Sequence, residues 1–370
     1  MTCSRCDYTT YEELPVKDHS YLESWFHDKD AHWHQCGACG HVADKAAHVM
    51  ESKVNVPDDN TCEFYNECIC GRTEDLTVDI IQASLSLGQS LTMNYYAVLP
   101  EAFAQNFMMK FTLRPGEGDL EIQMWESCRV TEDGQFYFAF GRIPPQCMKD
   151  SINAELFFVT DDGAQIKVDA EENYSIAQYC RKVLASNPEN KDLEKMIADL
   201  IAYGVAAQHY ANYKEDQLVS EGFEHLTPSE WTDVESTDKF VSEKLNEDVC
   251  FTAMGVRFGY VNKVYFKFKT PTLENMNITV TANGRDVEFL LEEVGEGVYI
   301  IYTDALYATE LDTVFTVTLV VGDVEVQYMT YSAKSYVYSQ QSKNTEMAAL
   351  AKALYNYGRT ATWYLATTQQ

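Results

Sequence analysis

Metal-binding residue types are crowded at the start of this chain, and no other feature limits its fold as tightly. Of 11 Cys and 8 His in 370 residues, seven Cys and six His lie in the first 70. They follow a repeated frame. The fuller copy reads His19, Trp25, then His32-Trp33-His34-Gln35-Cys36-Gly37-Ala38-Cys39-Gly40, and closes at His48. An earlier copy survives as Cys3-Ser4-Arg5-Cys6, closing at His19. His34 stands two residues ahead of Cys36, and the same offset ahead of Cys3 lands on Met1. The chain therefore reads as beginning inside a repeat, as an excised piece of a longer repetitive protein. A segment this short and this poor in aliphatic residues cannot bury much core, so metal staples are the economical way to fold it.

Cys-x-x-Cys sets two thiolates at the tip of a tight turn, close enough to share one tetrahedral Zn²⁺ that His completes. The spacing predicts one set of His34, Cys36, Cys39 and His48. A second set is Cys3, Cys6 and His19, with His27 or His32 to supply the fourth ligand. A degenerate third is Cys62, Cys68 and Cys70, with Glu67 where the first Cys of a pair belongs and no evident fourth ligand. Structural zinc is the favoured reading, because the His recur in the same frame as the Cys. Disulfides within the modules come second, and a redox Cys-x-x-Cys last, since no βαβ pattern surrounds it. Four protein ligands leave no position for a catalytic water. Cys128, Cys147, Cys180 and Cys250 read as buried free thiols, with a Cys128–Cys147 disulfide as the alternative.

The formal net charge is -29. A surface so acidic repels phosphate backbones, so the finger-like spacing does not imply nucleic-acid binding. No run of 18 apolar residues exists to insert in a membrane.

Past residue 72 the pattern changes to alternating aromatic and β-branched runs. Tyr95-Tyr96-Ala97-Val98, Phe107 to Leu113, and Phe136 to Phe140 read as strands. Asp161-Asp162-Gly163 marks a hairpin. Tyr174-Ser175 then opens a helix, and a second carries Leu193, Met196, Ile197, Leu200, Ile201 and Gly204 on one face. The sequence repeats. Leu193, Met196, Leu200, Tyr203-Gly204, Ala207 and Tyr210 match Met347, Leu350, Leu354, Tyr357-Gly358, Ala361 and Tyr364. The predicted class is α+β: small zinc-binding modules over 1–71, then two antiparallel β-sandwich units, each closed by a helical hairpin. The units span 72–213 and 240–370, with an acidic linker over 214–239 that Trp231 tacks down. Gly204 and Gly358 predict close backbone packing. The Tyr-rich helix ends either fill a helix–sheet seam or form a binding face.

Gly-x-Ser-x-Gly, Walker, Gly-x-Gly-x-x-Gly and His-Glu-x-x-His motifs are absent from the sequence. Only His209 and His225 remain outside the Cys/His region, which leaves little for nucleophilic catalysis. Duplicated modules with no shared polar constellation suit a binding surface better than an active site. The expectation is a non-enzyme.

The frame from His19 to His48 resembles short repeats in large extracellular proteins of gut Firmicutes. The ending Leu200-x-x-Tyr203-Gly204-x-x-Ala207-x-x-Tyr210 is similar to helical segments that close modules in such proteins. Together these cover most of the chain. The resemblance implies a multi-domain, non-enzymatic protein at the bacterial cell surface or secreted from it. It further implies a host protein as partner, immunoglobulin first in the superantigen manner. Glycan binding is the alternative, and an accessory region of a carbohydrate-active enzyme the next.

Overall fold

In the computed structural model, residues 4–5, 18–57, 61–87, 90–113, 121–235 and 237–368 are described. Cys3 and Cys6 lie outside them. The chain divides into two compact units: Met1–Val78 with Leu99–Ala104, and Asp79–Val98 with Gln105–Gln370.

The fold corrects the α+β expectation. Among the described residues 41% are strand and 22% helix, the strands arranged as six small antiparallel sheets, and the class is mainly β. Helical hairpins dominate the sequence pattern, because their long apolar periodicity is more regular than that of many short strands.

The first unit holds two three-stranded sheets. One orders β1 (Phe26–His27), β2 (Ala31–Gln35) and β3 (Val42–Ala47); the other orders β4 (Met50–Asn55), β5 (Glu63–Cys68) and β6 (Thr73–Asp75). Its apolar interior is sparse. Apart from cysteines, the buried hydrophobic residues described are Ala31, Phe64, Leu99 and Ala104.

The second unit opens with β7 (Asp79–Leu87), β8 (Leu91–Val98), β9 (Phe107–Leu113), β10 (Ile122–Ser127), β11 (Arg129–Val130), β12 (Phe136–Ile143), β13 (Ile152–Val159) and β14 (Gln165–Tyr174). These form sheets β10-β9-β13-β14 and β11-β12-β8-β7. Ring pairs Tyr95–Phe111 at 5.2 Å and Phe111–Phe140 at 5.3 Å join them across a sandwich-like core. Later come β15 (Phe240–Val241), β16 (Cys250–Arg257), β17 (Lys263–Lys269), β18 (Met276–Ala282), β19 (Arg285–Asp286), β20 (Leu290–Gly295), β21 (Val298–Tyr302), β22 (Phe315–Val321) and β23 (Val324–Tyr331). Their sheets run β15-β23-β22-β18-β19 and β16-β17-β21-β20.

Three strands recur in order in each sheet: β7, β8, β12 against β16, β17, β21, and β9, β13, β14 against β18, β22, β23. The segment between the third strand and its crossing partner differs. In the first run it spends six residues (β10) beside β9 and two (β11) beside β12. In the second it spends two (β19) beside β18 and six (β20) beside β21. The path is shared, but the crossing point has moved.

Each run ends in two helices: α1 (Ile176–Ser186) and α2 (Lys191–Ala211), then α3 (Ala333–Gln340) and α4 (Glu346–Thr368). Ser175 and Ser332 cap α1 and α3 by accepting the backbone N–H groups of Gln178 and Ser335. The long helices do not simply close their own sheets. α2 packs on α4, with the matched rings of Tyr203 and Tyr357 stacked at 6.0 Å and 9°. A residue pairing with its own counterpart is the mark of a local twofold. Burial pushes the Tyr203 hydroxyl up to about 12 and that of Tyr357 higher still. These tyrosines therefore fill a helix–helix seam, while Tyr210 remains 38% exposed.

The linker is anchored at Ser229 and Trp231. The buried carboxylate of Asp199 accepts the backbone N–H and hydroxyl of Ser229 at 2.7 and 2.8 Å. Trp231 lies edge-on to Tyr355 with the Lys352 ammonium over its ring. No helix among the described residues is long and apolar enough to cross a membrane.

Candidate metal centres

Two hairpin turns of the first unit present the cysteines. Between β2 and β3, Cys36 donates its N–H to the His41 carbonyl and accepts from Gly40, whose φ of 73° closes the turn. Between β5 and β6, Cys68 donates to the Arg72 carbonyl and accepts from Gly71, at φ 84°. Cys68-Ile69-Cys70-Gly71 is thus the same turn as Cys36-Gly37-Ala38-Cys39-Gly40 with one residue fewer.

Each turn gathers histidines from earlier in the chain. Site A joins His19, Cys36 and Cys39; site B joins His32, His48, Cys68 and Cys70. Within each site, one potential ligand atom per residue lies within 4.8 Å of all the others. The Nδ1 of His19 is 3.2 Å from Cys39 Sγ, that of His32 is 3.3 Å from Cys68 Sγ, and that of His48 is 3.5 Å from Cys70 Sγ. A tetrahedral zinc with bonds of about 2.3 Å to sulfur and about 2.0 Å to nitrogen has S···N edges of about 3.5 Å. The donor set of site B fits such an ion.

Other contacts agree. His48 Nε2 donates to the Asp28 carbonyl at 3.1 Å, an assignment made from that partner, which turns the Nδ1 lone pair toward Cys70. Arg72 donates to the same carbonyl at 3.1 Å and to that of Lys29, tying the β1–β2 turn to the β5–β6 turn. Backbone N–H groups of Ala38 and Cys39, then His19, pull the Cys36 thiol down to about 6. The Cys70 N–H does the same for Cys68, also to about 6 despite burial. Both thiols are thereby poised as the thiolates that bind metal.

The structure partitions the sequence-predicted ligands differently from their order along the frame. His34 does not join Cys36 and Cys39; its ring stacks on Trp25 at 3.8 Å, with Nδ1 3.4 Å from Asp44. His48 leaves that set for Cys68 and Cys70, and His19 takes its place. Cys62 stands apart from both sites, half-buried, with burial pushing its thiol up. Cys3 and Cys6 lie outside the described residues. His32 completes the cluster that lacked an evident fourth ligand. The described cysteines are free thiols, Cys128 and Cys147 included, and burial pushes those two up to about 11 and about 12.

No family model and no curated protein matches the sequence. Among solved structures, a chimeric titin Z1Z2 carrying a decorin peptide is similar at 9% identity and a TM-score of 0.17, over 69% of this chain and 91% of that one. A marsupial T cell receptor is similar at 7% identity and a TM-score of 0.16, over 82% and 90%.

Proposed function

We propose that this chain is a non-catalytic binding protein of a bacterial exterior, with its first unit a spacer held by structural zinc and its second unit bearing the binding face. One observation carries the spacer reading: each cysteine pair draws its histidines from the part of the chain ahead of it. Such a hand-over ties successive turns of a repeating frame to one another through metal rather than through a core. A closed ligand shell like that of site B suits structure and leaves no open position for chemistry. The resemblance of the frame to repeats of gut Firmicutes surface proteins supports a host protein as partner, immunoglobulin first.

Elemental analysis of protein purified without added metal is expected to give one or two zinc ions per chain. Oxidised Cys36–Cys39 or Cys68–Cys70 pairs without zinc would overturn the spacer reading. For the partner, capture from host secretions with and without glycosidase treatment is expected to return immunoglobulin in both. Capture that the glycosidase abolishes would move the assignment to glycan. Hydrolysis of a polysaccharide, lost on replacing a single Asp or Glu, would remove the non-enzyme reading.

A further inference from the structure

The two metal centres differ in ligand number, in exposure and in the length of the cysteine turn. At site A three donors converge among the described residues, and two of them, His19 and Cys39, are exposed while Cys36 is buried. At site B four converge. His32 and Cys68 are buried there to 6% and 2% exposure, and His48 and Cys70 are half-buried. Two residues, Gly37 and Ala38, separate the cysteines of site A; Ile69 alone separates those of site B.

All three differences bear on thiol–disulfide exchange. A small disulfide reacts only with a sulfur that it can reach, and Cys39 is open to solvent where Cys68 is not. The turn decides whether the second cysteine can finish the reaction. A pair two residues apart closes a disulfide within a tight turn. A pair one residue apart closes a smaller, more strained ring, and strained disulfides are easily reduced again. Three protein donors also hold an ion less completely than the four of a closed tetrahedral shell.

We propose, on the basis of structural zinc at both centres, that site A is a redox-sensitive joint: a small-molecule disulfide oxidises Cys36 and Cys39 and releases the ion there, while site B keeps its own. The exposed Cys39 sulfur attacks one sulfur of the oxidant, forms a mixed disulfide and expels one small thiolate. The buried Cys36 sulfur then attacks Cys39 Sγ, forms the Cys36–Cys39 bond and expels the second. Two electrons pass from the two protein thiolates to the oxidant, and Zn²⁺ leaves with its charge unchanged. The structural effect is local. His19 loses its tie to the β2–β3 turn, where the Gly37 N–H still donates to the Ser20 carbonyl and the Leu22 N–H to that of Gln35. His32 of β2 remains stapled to Cys68 of β5.

The test exposes the reduced, zinc-loaded full chain to oxidised glutathione. Freed zinc is followed with a chromophoric chelator, and disulfides are mapped by mass spectrometry. One zinc equivalent should leave at least about tenfold faster than the other, in step with a Cys36–Cys39 disulfide. Reductant and added zinc should then restore it. Cys39→Ser should leave a single equivalent that resists the oxidant. Two equivalents lost together, a single resistant equivalent in the parent chain, or a disulfide at any other pair would overturn the joint and leave the spacer reading standing. A reduced chain that takes up no zinc before the oxidant is added would remove both.

Discussion

The two units are held together by different physics. In the second, Tyr95, Phe107, Phe111, Phe138, Phe140, Phe266 and Phe268 are buried to below two per cent exposure, and stability follows from packing. In the first, six short strands enclose one buried Phe, and the side chains that converge are histidines and cysteines. A segment that buries so little apolar surface does not offset its own chain entropy. A metal held by the convergent histidines and cysteines, at a site absent from the unfolded chain, would add its binding free energy to folding.

The largest expected effect separates the two directly. A strong zinc chelator should abolish hydrogen-exchange protection in β2 and β5 while leaving that of β8, β13 and β22 in place. Protection of β2 and β5 that survives demetallation would mean that the first unit has a core of its own. Next in size is the partition of ligands. His32→Ala should remove one metal equivalent, read as the loss of one set of cobalt charge-transfer bands, whereas His34→Ala should keep full stoichiometry. The opposite result would restore the ligand order implied by the frame. In the second unit, Phe138→Ala should cost ~3–5 kcal/mol, as large cavities in aromatic cores do. It should leave metal content unchanged, and a parallel loss of metal would tie the two units together energetically.

The histidine partition shows where sequence reasoning stops. Cys36-x-x-Cys39 and the glycine after each cysteine turn were legible, because turn chemistry is local, but the one-residue-shorter Cys68-Ile69-Cys70 turn was not, since the repeat frame points to Glu67 as the place of its first Cys. Which histidine reaches which turn was not. His32 and His34 are two apart on one strand, so alternation alone places them on the same face. The β2–β3 pairing shifts register between them; both rings meet Trp25, at 4.6 and 3.8 Å, yet only His32 is buried and reaches Cys68. A bulge depends on a partner strand that sequence periodicity does not name. The helices, their Ser caps and the Asp162-Gly163 turn were legible for the same local reason. The shifted crossing of β10–β11 against β19–β20 and the pairing of α2 with α4 were not, since both are settled by contacts between distant segments.

The smallest expected effect lies inside the second unit and sets its two matched glycines against each other. Replacing a mid-helix glycine by alanine favours the helix by about 1 kcal/mol when space allows. At Gly204 the new methyl would meet the Met148 thioether and a Val219 methyl, both side-chain ends that can shift. Gly204→Ala should therefore stay within about 1 kcal/mol of the parent, with propensity offsetting a small repacking cost. At Gly358 the methyl would run into the Ala308 carbonyl oxygen, which belongs to the 3-10 turn Ala308–Glu310. Backbone there cannot yield without moving the turn and the Leu311 contact behind it. Gly358→Ala should lose about 1–3 kcal/mol, the usual cost of overpacking. Equal losses at the two positions in thermal unfolding would mean that the turn holding Ala308 yields as readily as the side chains of Met148 and Val219.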